Sequence, residues 1–250
     1  MCEMYEYQYL VGGALSFLVS AYILAKRPQT SSMKFLGLFG LVMSVWEVFT
    51  YLYRMAPDPI TTAKFFLVMI LTSHLGFPIY LLTLISVEER RSKRMLLLVM
   101  VPAVIQAIMM LQGDYIVSYE FFQTTSGWAY RVSSFAPLLV AAGIVFMGYL
   151  LGIVVALLVL IRRTRFHLLR KKYLILLVSF VSFQVAGTTL TNALIAVRLL
   201  DPFFPMGGIF QFLTFLSIWY ALSLREKEIP LVSRGEDFAQ VYSSFLTLFY

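Results

Sequence analysis

The chain has 250 residues, 60% of them hydrophobic and 13% charged, with a net charge of +7. Soluble domains run nearer about 25% charged, so the composition excludes an ordinary soluble domain and predicts an integral membrane protein. The single cysteine, Cys2, excludes an internal disulfide framework and a Cys-based metal site, and two histidines, His74 and His167, are too few for a His-rich metal cluster.

The basic residues cluster beside apolar segments, where they set topology and meet anionic headgroups; nucleic acid is therefore not an expected partner. Seven segments reach the length that crosses a bilayer, about 20 residues. The first runs from about Tyr7 to Ala25 and ends at Lys26-Arg27-Pro28. It lacks a basic leader region and an obvious small-residue cleavage site, so it reads as a retained helix. The second covers Met33 to Tyr53, and a short loop with Pro57 and Pro59 leads to the third, Ala63 to Ser86. The charged stretch Glu88-Glu89-Arg90-Arg91 and Lys93-Arg94 follows. The fourth, Met95 to Gln112, contains Pro102, which should kink it.

A connection from Gly113 to Ser134, rich in aromatic residues, precedes the fifth segment, Phe135 to Ile161. The basic loop Arg162 to Lys172 separates it from the sixth, Tyr173 to Val197, and the seventh spans about Pro205 to Leu224. With the N-terminus outside, only Arg54, Lys64, Arg131 and Arg198 remain on the outer side. The positive-inside rule thus predicts an all-α bundle of seven transmembrane helices in the cell membrane, N-terminus outside and C-terminus cytoplasmic. Residues 1–224 form the transmembrane domain and 225–250 a cytoplasmic tail. In that tail Phe238, Val241, Tyr242, Phe245, Leu248 and Phe249 recur at helical spacing, as if needing a partner.

The candidate site residues lie in the second, third, sixth and seventh segments. Glu47 is an ionisable group deep within a span, costly there unless paired. It fits either a structural pair or a ligand contact or proton-linked switch. Tyr51 and Arg54 lie on nearby faces of the same helix, and Arg54 could partly neutralise the acid. His74, followed by Gly76 and the helix-bending Pro78, is expected to hydrogen-bond a neighbouring helix, with pH sensing a second reading.

On the sixth segment, at about 100° per residue, Gln184, Thr188, Thr191 and Arg198 fall on one face with Asn192 at its edge. Such groups can be packing glue worth roughly 0.6 kcal/mol each. Several on one face, at the depth of Glu47 and of Gln211 in the seventh segment, suggest a polar outer pocket capped by the aromatic 113–134 connection. Gly148 and Gly152, preceded by Gly143, form a small-residue spacing for helix packing in the bundle or for a homodimer. Trp46, Trp128 and Trp219 read as interface anchors or packing residues.

No lysine lies in the seventh segment for a retinal Schiff base, and the phosphate-loop, zinc-protease and nucleophile-elbow motifs are absent from the chain. No cofactor is expected, and no catalytic constellation stands out.

Ser44-Val45-Trp46-Glu47, Ala63-Lys64-Phe65-Phe66, Gly76-Phe77-Pro78-Ile79-Tyr80-Leu81-Leu82 and the exit Trp219-Tyr220-Ala221-Leu222-Ser223-Leu224-Arg225 with Ile229-Pro230-Leu231-Val232 carry a resemblance. In these stretches the chain resembles the N-terminal seven-helix sensory region of bacterial and archaeal sensor histidine kinases. The resemblance implies a non-enzymatic receptor for a small-molecule or lipid stimulus, part of a two-component system. Its signal would pass through the seventh helix to a cytoplasmic signalling partner or an output domain. No kinase or phosphoacceptor region follows within these 250 residues, so kinase activity is not expected of the chain itself. Two other readings stand beside it: a small-solute transporter or permease, and a non-catalytic subunit of a membrane complex.

Overall fold

The computed structural model describes residues 3–25, 31–86, 93–111, 114–124, 127–164, 167–190, 194 and 207–223. The chain is mostly helical, in the order α1 (Glu3–Ala25), α2 (Ser31–Arg54), α3 (Pro59–Ile85), α4 (Lys93–Met110), α5 (Asp114–Val117), β1 (Tyr119–Thr124), β2 (Gly127–Val132), α6 (Pro137–Arg163), α7 (His167–Ser179), a π-helical segment (Phe180–Leu190) and α8 (Gly207–Ser223). Among the described residues four helices are long and apolar enough to cross a membrane: Tyr7–Ala25, Ser31–Arg54, Pro59–Ile85 and Pro137–Arg163. The apolar stretches Leu96–Met110 and Ile209–Ala221 are shorter.

Contacts between named side chains fix how the helices run. Ser44 on α2 donates to the Gly13 carbonyl of α1 at 2.7 Å, while Gly40 faces Ser20, so α1 and α2 are antiparallel. Phe39 stacks on Tyr80 and Tyr53 meets Phe66 edge-on, so α2 and α3 are antiparallel as well. His74 and Phe77 both meet Phe146, and Gly152 lies beside Leu81, which makes α6 parallel to α3. Between them α4 runs the other way: Gln106 donates to the Ala142 carbonyl and Tyr149 to that of Val99. Pro102 has no amide to offer Leu98, and the Tyr149 hydroxyl supports the neighbouring carbonyl where this helix is weakened. Finally α8 packs back onto α1, α2, α7 and the π segment, which closes the bundle.

The α1–α2 seam depends on small residues. Gly12, Gly13, Ser16 and Ser20 oppose Gly40, Ser44 and Glu47 at helical spacing, and Gly37 lies against Leu24. A methyl on Gly40 would collide with Ser20 Oγ and come within 2.6 Å of the Phe215 ring of α8. Gly143 and Gly148 behave differently. Among the described residues nothing lies within 4 Å of a Cβ built on either, so they face outward with the exposed Val140, Ile144, Met147 and Leu151. Packing within the bundle, one of the two expected roles for this spacing, therefore does not apply at Gly148.

The 113–134 connection is not a plain loop. Its alternating aromatic residues pair β1 with β2 in a hairpin, from Tyr119 opposite Val132 to Thr124 opposite Gly127. The chain stays mostly helical, as expected, with this short hairpin set into a connection. Gly127 takes φ +107°, a conformation that side chains disfavour, with the Arg54 carbonyl close above its Cα. The hairpin rests on the end of the bundle where α2 stops and α3 starts. Trp128 donates its indole N–H to the Ala56 carbonyl at 2.8 Å, and Phe66 is enclosed by Tyr119, Phe121 and Tyr130. Burial pushes the hydroxyl pKa values of Tyr115, Tyr119 and Tyr130 upward, Tyr115 to about 12.

Candidate functional site: a buried polar tier over an aromatic floor

An aromatic layer crosses the bundle. Phe39 stacks on Tyr80 with centroids 5.3 Å apart, Tyr80 meets Phe180 at 5.4 Å, and Phe215 covers Gly40. Ser20 stands on the α1 side of Gly40. One turn toward the hairpin end, each helix carries the residue four positions away: Ser16 on α1, Ser44 on α2, Gly76 on α3, Gln184 on the π segment and Gln211 on α8. Glu47 lies one further turn along α2 and reaches back to this tier through Ser16, whose hydroxyl donates to Oε2 at 3.3 Å.

The tier is buried and incompletely bonded. Relative exposure is 0% for Glu47, 4% for Gln184 and 1% for Gln211. Among the described residues Glu47 Oε1, Gln184 Oε1, Gln211 Nε2 and the Tyr80 hydroxyl of the floor have no hydrogen-bond partner. Leaving such a group unpaired costs about 1–3 kcal/mol, and most buried polar atoms in native proteins avoid it. Gln106 Oε1, between α4 and α6, is also unpartnered and belongs to neither layer.

Glu47 is held from the α1 side. A Cβ on Gly12 would stand 2.9 Å from Oε1, so only glycine leaves room for the carboxyl. Arg54, the neutralising partner expected from the sequence, is buried two turns further on beneath the hairpin, close enough to Tyr130 to act on it electrostatically. Ser16 takes its place because the Glu47 side chain points across the seam instead of along its own helix. Tyr51 is half-buried one turn above Glu47, its ring 6.0 Å from that of Tyr7.

His74 stands apart from this group. Its Nδ1–H donates to the Ile70 carbonyl of its own helix at 2.9 Å, and its ring lies 4.9 Å from Phe146 of α6. The hydrogen bond expected between helices is thus made within α3, and the contact between helices is aromatic. Trp46 packs edge-on against Tyr9 and Trp219 against the core, as packing residues do.

The uniform α-helical wheel drawn for the sixth segment fails from Phe180, where the turns widen to the π form. Gly187 lies under the Phe210 ring and Phe183 stacks on it, 6.2 Å between centroids, so the π segment and α8 dock through aromatic faces. Of the predicted polar face, Gln184 is buried in the tier and Thr188 lies in the π segment. Thr191, Asn192 and Arg198 fall outside the described residues, as does the tail 225–250. Ser16, Ser44 and Tyr80 were missed by the sequence reading. The glycines and serines recurring every three or four residues on the first two helices were the available signal.

No family model, no curated protein and no solved structure matches this chain.

Proposed function

We propose that the chain is a seven-span membrane sensory domain, N-terminus outside and C-terminus in the cytoplasm. A small-molecule or lipid stimulus acts on the polar tier around Glu47, and α8 carries the response inward to a cytoplasmic signalling partner or output domain through residues 225–250. The observation that carries this reading is the set of orphaned polar groups at the level where α8 docks on α1, α2 and the π segment. An occupant of that tier bonds groups on both sides of the α8 contact, so it favours one docking of α8 over another. The floor of Phe39, Tyr80, Phe180 and Phe215 supports a blind site over a through-path, which favours a receptor over a permease. The parallel course of α3 and α6, with α4 opposed, accords with alternating crossings.

Spin labels on Lys34 and Tyr220, at the end of the bundle away from the hairpin, test the relay. The distance distribution in lipid is expected to have two populations whose ratio shifts in Glu47→Gln and in Gln211→Ala. An identical distribution in all three proteins removes the relay. Sealed vesicles showing Glu47-dependent flux of small solutes would replace this reading with the permease.

A further inference from the structure

We infer that the root of the β1–β2 hairpin is a lipid-contact surface, where Val117 and Phe135 enter the boundary between headgroups and acyl chains of the outer leaflet. The inference rests on the membrane reading of the helices and not on the sensory one.

Backbone bonds bring the two residues to one place. The Ser118 carbonyl accepts from the Ser133 amide at 2.9 Å and from the Ser134 amide at 3.4 Å, and the Ser133 hydroxyl donates to the Val117 carbonyl at 3.3 Å. The end of α5 and the approach to α6 are therefore stitched side by side, with Val117 on one and Phe135 on the other. Each is 74% exposed, more than any other large apolar side chain among the described residues. One such residue on a surface is ordinary. Two at one place, on segments bonded to each other, mark a contact surface.

The surroundings name the partner. Phe135 stands just before Pro137, where α6 begins, and Val140, Ile144, Met147 and Leu151 carry an exposed apolar face along that helix. On a helix fit to cross a membrane, such a face meets acyl chains. The hairpin root continues this face beyond the helix start, so the same lipid covers both. Further along the strands the character changes. Tyr119, Phe121 and Tyr130 turn inward onto Phe66, which leaves the alternate positions Glu120 and Arg131 facing away from the bundle. There they pair with each other, and the Arg131 guanidinium lies 5.3 Å from the Phe122 ring centre. A partly exposed ion pair suits headgroups and water, while Val117 and Phe135 suit the layer beneath. The hairpin is thereby held twice, near its tip by the Trp128 bond to Ala56 and at its root by lipid.

The test places a bimane label on Val117→Cys, Phe135→Cys, Glu120→Cys and Ile144→Cys, each in a Cys2→Ser chain reconstituted into phosphatidylcholine vesicles. Phosphatidylcholine brominated near the top of its acyl chains is expected to lower emission at least about twofold at positions 117 and 135 and to leave position 120 unchanged. Lipid brominated deep in the chains should quench position 144, the control for the membrane itself. Resistance at 117 and 135 while 144 is quenched overturns the inference and leaves the membrane reading intact; resistance at all three overturns both. Quenching at just one of 117 and 135 removes the shared surface. Labels there that resist both brominated lipid and aqueous iodide would show protein, such as a second copy, over the root, which also overturns the inference. Should a labelled variant not fold, a photoactivatable phosphatidylcholine applied to the unaltered chain decides it. Adducts on Val117 or Phe135 support the surface, and adducts confined to the membrane-spanning helices remove it.

Discussion

Gly40 shows how much can rest on a missing side chain. It is the point where α1, α2 and α8 come together, with Ser20 on one side and the Phe215 ring on the other. Gly40→Ala is expected to destabilise the protein by about 1–3 kcal/mol, because neither neighbour can move without disturbing another helix. Gly148→Ala supplies the contrast: it adds the same methyl where nothing lies within 4 Å, and should change stability by less than about 0.5 kcal/mol. Thermal melts of the two variants in one detergent check both figures, and equal losses would contradict the outward orientation of Gly148. The same logic explains the tier. Glu47 was visible in the sequence as a buried acid, but its partner was not. The choice of Ser16 over Arg54 depends on a seam between helices that puts Gly12 against the carboxyl and leaves Arg54 under the hairpin.

The hairpin and the α2–α3 turn form one device at the scale of elements. Asp58 caps α3: its carboxylate accepts from the Ile60 and Thr61 amides, each at 2.9 Å, and from the Thr61 hydroxyl at 2.7 Å, while Pro59 opens the helix. These bonds, led by the Thr61 hydroxyl and aided by Lys64, hold the Asp58 carboxyl below its ordinary value. A lowered folded pKa means the unfolded chain takes up the proton first. The stabilisation is therefore present above about pH 3.9, the ordinary aspartate value, and is lost as pH falls through the lowered folded value. Melting temperatures measured downward from pH 6 should fall less steeply in Asp58→Asn, which retains an acceptor but cannot titrate. Parallel curves would show that the cap contributes nothing through its charge. From the sequence, Pro57 and Pro59 lie in a loop and this helix begins at Ala63, whereas the Asp58 cap starts it at Pro59. The hairpin was not legible in the sequence either, because its alternation became informative only with Phe66 and Trp128 placed against the bundle end.

The charge asymmetry of the whole molecule and its helix directions can be tested together. A fluorescent protein fused after Tyr250 is expected to mature and glow in the cytoplasm, and a cysteine at Glu120, in the hairpin, to react with an impermeant thiol reagent from outside. Labelling only after permeabilisation would reverse the proposed topology. Composition and the spacing of apolar runs were enough to determine a mostly helical chain with helices fit for a membrane, since each helix satisfies its own backbone and needs only an apolar surface. They also located Glu47, Gln184 and Gln211 as polar groups out of place. That the sixth segment widens to a π-helix, that His74 turns to Phe146, and that Gly148 faces outward were decided by tertiary structure alone. A sequence gives each helix its own period, but the register between helices is set by side chains meeting across a seam. That information belongs to pairs of segments distant in the chain, and folding is what brings them together.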